Sequence, residues 1–187
     1  MGEKFGNFTF HKTEIEGVII VEPTVYGDER GYFTEVYQKE NFIKGGIDVD
    51  FVQDNQSKSI KGVLRGLHFQ KTFPQSKLVR CIKGAVYDVA VDLREGSETY
   101  GKYVGILLTE ENKKQFFIPK NFAHGFLVLS DEAEFAYKVD DFYHPNDEGG
   151  LLWNDPDINI QWPVEEGMEI ILSDKDKVNS LLKDLKK

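Results

Sequence analysis

The stretch Gly62–Gln70 reads GVLRGLHFQ. Val63, Leu64, Leu67 and Phe69 give it the apolar character of a strand, yet Arg65 and His68 are embedded in it. A histidine in such a place is a metal ligand, a base, or a core residue with satisfied hydrogen bonds. The surrounding chain is of the same kind. Tyr87, Val89, Val91 and Leu93 alternate with Val86, Asp88, Ala90 and Asp92, the period expected of a half-buried strand. Similar runs occur at Gly17–Val25, Gly31–Tyr37, Phe51–Asp54, Leu78–Ile82, Tyr103–Leu108, Gln115–Ile118, Gly125–Leu129 and Glu134–Val139. Turn signals separate them, among them Asp28–Gly31, Lys83–Gly84 and Pro145–Gly150. Many short strands at near-regular spacing predict an all-β sandwich or jelly roll. Helix is expected only around Gln38–Lys44 and at the C-terminus, where Val178, Leu181, Leu182 and Leu185 form an i, i+3, i+4, i+7 stripe. No repeat or linker divides the chain, so residues 1–187 read as one domain.

Composition narrows the function. Hydrophobic residues make up 40% and charged residues 29%, values of an ordinary globular protein. No run approaches the length of a membrane span, and the start, MGEKFGNFTFHKTE, lacks the apolar core of a signal peptide. A single cysteine, Cys81, fits a reducing compartment and reads as a small buried hydrophobe. A cytoplasmic protein with no membrane partner is therefore expected. The net charge of −9 argues against nucleic acid as a partner. Between Gln53 and Lys83, however, seven basic residues face one acid, Asp54, a net charge of +6. Such an island suggests a site for a small anion. Lys61, Lys71 and Lys83 read as solvated. Arg65, Lys77 and Arg80 lie among apolar residues and are candidates for contact.

His11 and His144 have polar, turn-like surroundings, whereas His68 and His124 lie in strand-like runs. Metal-binding jelly rolls gather several imidazoles and a carboxylate around one ion, beginning with His-x-His. Here Gln70 stands two residues after His68, and two histidines alone make a poor site. No metal and no cofactor are expected, and a metal-dependent oxygenase is disfavoured. His68 is then a candidate for proton chemistry near neutral pH. Such a base needs a carboxylate to fix its tautomer, and spacing alone does not choose one. Asp176, in SDKDK, reads in isolation as a solvated loop charge, and Tyr137, in EFAYKV, as core.

Taken together, GDERGYFTE (Gly27–Glu35), FVQDNQSKS (Phe51–Ser59), GVLRGLHFQ, QSKLVRC (Gln75–Cys81), GAVYDVAVDLR (Gly84–Arg94), FIPKNFAHGF (Phe117–Phe126), AEFAYKV (Ala133–Val139) and LLWNDPDI (Leu151–Ile158) resemble the dTDP-4-dehydrorhamnose 3,5-epimerase family. The resemblance implies a cupin-like jelly roll (a double-stranded β-helix) without metal, with a few short peripheral helices. It implies a homodimer with exchanged N-terminal strands, and a dTDP-4-keto-6-deoxysugar substrate inverted at C3 and C5. Carried over by position, His68 is the base, Asp176 its orienting carboxylate, Lys77 the cation at the enolate oxygen and Tyr137 the acid. Arg30 and Arg65 match phosphate-contacting arginines; Glu35, Gln53 and Asn55 match nucleotide contacts. Tyr143 matches an aromatic near thymine, His124 lines the sugar pocket, and Phe33 is a second candidate for stacking. Arg80 is open between substrate contact and a structural ion pair. Ser76 replaces the glycine often found before the lysine. Relatives that epimerise one carbon only, or that bind without catalysis, are the alternatives.

Overall fold

The computed structural model describes residues 2–185. Its strands are β1 (Glu3–Phe5), β2 (Phe8–Lys12), β3 (Ile19–Pro23), β4 (Val25–Asp28), β5 (Gly31–Thr34), β6 (Gln53–Ile60), β7 (Leu64–Gln70), β8 (Lys77–Lys83), β9 (Ala85–Asp92), β10 (Tyr103–Thr109), β11 (Gln115–Ile118), β12 (Phe122–Val128), β13 (Glu132–Val139) and β14 (Glu148–Gly150), with one helix, α1 (Lys39–Lys44). The strands β6 to β13 nest as antiparallel pairs: β6 with β13, β7 with β12, β8 with β11, β9 with β10. Alternate pairs fall in opposite sheets, which makes a jelly roll. One sheet has the order β1-β2-β3-β11-β8-β13-β6 and the other β10-β9-β12-β7-β14, while β4 and β5 form a separate hairpin.

Between the sheets, Val79, Val86, Ala90, Phe116, Phe126 and Phe135 belong to one buried cluster. Phe126 and Phe135 stack across it at 4.3 Å. Removing a ring such as Phe135 costs about 3–5 kcal/mol, from lost transfer energy and the cavity left behind. Helix α1 starts where the Gln38 side chain accepts from Asn41 N at 2.7 Å. It buries Phe42 edge-on against Phe8 and Phe10. Cys81 is buried, its Sγ donates to Lys83 O, and burial pushes the thiol up to about 12.

Three local expectations are corrected. First, β9 is not half-buried: Asp88 and Asp92 have no exposure at all. The strand lies between β10 and β12, and its outer face is covered by Ile158, Ile160, Trp162, Leu182 and Leu185. Second, the C-terminal stripe is not a continuous helix. It breaks into two single turns, Asp176–Val178 and Leu182–Asp184, and Val178 is 80% exposed. Leu182 and Leu185 pack against the outer face of the sheet, and docking to it contributes more than helical propensity over so short a segment. Third, β6 runs on to Ile60 through polar residues, because its inward positions Asn55, Ser57 and Ser59 face a polar space. The β1–β2 hairpin was not anticipated. No helix is long and apolar enough to cross a membrane among the described residues.

Candidate active site

A regular strand would send Arg65 and His68, three residues apart, to opposite faces. β7 instead carries an extra residue. His68 pairs with His124 and Arg65 with Phe126, so Gly66 and Leu67 stand opposite Gly125 alone. This bulge puts both side chains in one cavity. Glycine is required at its centre: Gly66 has φ +121°, and a Cβ there would lie 2.6 Å from Gly125 Cα. The cavity, about 500 Å³, also receives Lys77, His124, Tyr137 and Asp176. It continues to a mouth of about 110 Å³ where Gln75, Tyr143 and Glu148 join His68, Lys77 and Tyr137.

Asp176 is the residue whose surroundings differ most from its local sequence. It is 3% exposed and lies 2.5 Å from His68 Nε2. The segment carrying it is laid over β7 by two backbone bonds, Leu64 N to Ile171 O at 3.0 Å and Ile171 N to Gly62 O at 2.9 Å. Burial alone would raise its carboxyl, but the His68 ring, the Ser173 hydroxyl and the Gly66 backbone hold it below the usual range. Asp176 thus stays an anion that can fix the tautomer of His68 and support its protonated form.

Lys77 opens β8. Burial lowers its ammonium to about 8, with Asp88 and Glu148 opposing the shift. It remains mostly protonated at neutral pH and offers a cation inside the cleft. On β13, Tyr137 lies in register with Asn55; burial raises its phenol, against the charge of Arg65, so it keeps its proton. His124 Nε2 is 3.0 Å from both carboxylate oxygens of Asp88. Burial lowers the histidine and raises the aspartic acid, drawing both toward their neutral forms.

The other expected contacts divide into two groups. Arg65 reaches Ser59 Oγ at 3.0 Å and lines the cleft, and Tyr143 stands at its mouth, donating to Glu148 at 3.1 Å. Gln53 and Asn55 bond each other at 2.9 Å on the β6 face that Tyr137 shares. Arg30, Phe33 and Glu35 are not brought there. Arg30 pairs with Asp28 at 2.5 Å, Phe33 is 68% exposed on β5, and Glu35 accepts from Asn7. Arg80 lines a separate hollow with Tyr32, Lys113 and Gln115. Gln70, at the position of a second metal-binding imidazole, spends its amide on three backbone groups. Among the described residues no group of three or more His, Cys, Asp or Glu is gathered for a metal. Reading the sequence missed Asp88, Glu148 and the part played by Gln70. An acid inside an otherwise apolar strand was the available signal for Asp88.

A family model described as dTDP-4-dehydrorhamnose 3,5-epimerase matches residues 12–184. The chain belongs to this family. A curated relative of that description from Methanothermobacter thermautotrophicus is 55% identical over 91% of this chain and 92% of its own length. One from Shigella flexneri is 58% identical over 88% and 91%. A crystal structure of the Legionella pneumophila epimerase, solved in complex with dTDP-4-keto-L-rhamnose, superposes with a TM-score of 0.92 at 49% identity, covering 96% of this chain and 95% of that one. The chain is therefore an epimerase, an isomerase by reaction class, on the family's cupin-like fold.

Proposed function

We propose that this chain converts dTDP-4-keto-6-deoxy-D-glucose into dTDP-4-keto-L-rhamnose, with His68, Asp176, Lys77 and Tyr137 as its working groups. The observation that carries the reading is the His68–Asp176 pair at 2.5 Å in a cavity that Lys77 and Tyr137 also line. A C–H beside the C4 ketone becomes acidic only as its electron pair delocalises onto the ketone oxygen. His68 takes that proton, and Asp176 supports the imidazolium. Lys77 donates to the oxygen as negative charge develops there. Tyr137 delivers a proton to the other face, which inverts the carbon, and solvent exchange resets both groups. The sequence is repeated at C3 and C5. Arg65 at the cavity wall suits the diphosphate, since a guanidinium fork matches phosphate oxygens.

A homodimer is part of this proposal. Arg30, Phe33 and Glu35 lie on or beside the β4–β5 hairpin, away from their own chain's cleft, among the exposed side chains of Val25, Tyr26 and Tyr32. Exchange of N-terminal strands would give these residues to the partner's cleft. A cytoplasmic location is likewise proposed, resting on the lone free thiol.

The test is proton NMR of dTDP-4-keto-6-deoxyglucose with the protein in D2O. Deuterium is expected at both C3 and C5. Label at one carbon reassigns the chain as a single-site epimerase, and no label at either overturns the epimerase reading in favour of a binding module.

A further inference from the structure

One buried side chain outside the proton-transfer set organises the cleft mouth. Gln70 is 7% exposed and lies on β7 two residues beyond His68. Its Nε2 donates to Phe73 O at 2.6 Å and to Phe142 O at 3.2 Å, and its Oε1 accepts from His144 N at 2.7 Å. The last two groups flank Tyr143 on either side. An amide is the only uncharged side-chain head group with both donors and an acceptor for this arrangement. A histidine here would meet part of it, and a carboxylate would face two carbonyls.

The same two loops are joined elsewhere. Asp147 accepts from Thr72 N and Phe73 N, Ser76 N donates to Asp140, and the rings of Phe73 and His144 stack at 4.4 Å. Tyr143 donates in turn to Glu148, which pairs with Lys175, one residue before Asp176. Pro74, Gln75, Tyr143 and Glu148 form the rim so produced.

We infer that Gln70 is a positioning residue for nucleotide binding: it holds the Tyr143 loop against the 71–76 loop and so presents the Tyr143 ring to the nucleotide. The inference rests on the proposed dTDP-sugar reading. It separates binding from chemistry, because Gln70 makes no contact with His68, Lys77 or Tyr137 in its hydrogen bonding.

Calorimetric titration with dTDP, steady-state kinetics and circular dichroism on Gln70→Glu test it, with Asp147→Asn as a second variant that loosens the same loops without touching β7. Both variants are expected to weaken dTDP binding and raise KM about tenfold or less, the worth of a hydrogen bond, while kcat stays within about twofold. Tyr143→Ala, which removes the ring, should cost less dTDP affinity in the Gln70→Glu background than in the wild type. Unchanged dTDP affinity in folded Gln70→Glu overturns the inference, as does a collapse of kcat at constant KM. If Gln70→Glu fails to fold, Asp147→Asn decides alone. Failure of the wild-type protein to bind dTDP sinks the underlying reading instead, and the two failures are thereby distinguished.

Discussion

Lys77 is a cation held where burial disfavours cations. Its pKa of about 8 lies below the value near 10.4 of an unfolded chain, so between these values the unfolded state binds more protons. Stability from this group therefore rises with pH through that window, and the full penalty is present below pH 8. Lys77→Met should raise the thermal midpoint at pH 7, by a gain bounded at about 3 kcal/mol and reduced by water in the cleft. The gain should shrink toward pH 10. Turnover should fall about 10²-fold or more with loss of the donor at the enolate oxygen. A midpoint that falls at pH 7 would mean the lysine stem is valued for packing instead. Asp176→Asn tests the other half of the site. It keeps the shape, removes the charge behind His68, and should lower kcat about 10²–10⁴-fold with dTDP affinity unchanged by calorimetry. His68 and Lys77 could be singled out because each is embedded among apolar residues, whereas Tyr137 reads as core and draws its role from the family resemblance. Asp176 could not, since SDKDK looks solvated and only the pairing of Ile171 with Gly62 and Leu64 buries it. Asp88 was hidden differently: its alternation with Val89 and Val91 reads as a polar outer face, whereas Asp88 shares the inward face of Val86 and Ala90 and both faces of β9 are covered.

At the scale of elements, the decisive feature is the bulge in β7. Strand periodicity located β7 itself, but periodicity also assigns Arg65 and His68 to opposite faces. What reconciles them is the close approach of two backbones at Gly66 and Gly125, which depends on a partner strand more than fifty residues away. Gly66→Ala should cost about 1–3 kcal/mol, because a Cβ meets Gly125 backbone and the residue must keep φ +121°. Its kcat should fall further than the folded fraction explains, as Arg65 and His68 lose their common face. Denaturant unfolding beside kinetics on the folded protein checks this; a stable variant with wild-type kcat would show that the bulge has no part in the site. The polar inward face of β6 and the broken C-terminal stripe were illegible for a related reason. Each departs from simple periodicity to serve a surface, the cleft or the outer sheet, that only the assembled fold creates.

For the molecule as a whole, the cationic island resolves into two kinds of residue. Lys61 pairs with Glu165, and Lys58 and Lys83 with Glu132, as solvated side chains do, whereas Arg65 and Lys77 line the cleft. The positive charge that faces the substrate is thus small, and Arg30, on the hairpin, would add to it only from a second chain. This makes the proposed strand exchange testable by complementation. His68→Asn protomers lack the base but keep the hairpin, and Arg30→Ala protomers lack the hairpin arginine but keep the base. Each variant alone should be nearly inactive at low substrate. In a refolded equimolar mixture half the dimers are mixed, and each mixed dimer holds one cleft built from an intact base and the partner's intact Arg30. Activity should recover to about a quarter of wild type. If each hairpin serves its own cleft, every cleft in the mixture retains a defect and activity stays at the level of the parents. Analytical ultracentrifugation of the same mixture, performed first, distinguishes that outcome from a protein that does not dimerise, for which recovery is excluded by the absence of any shared site.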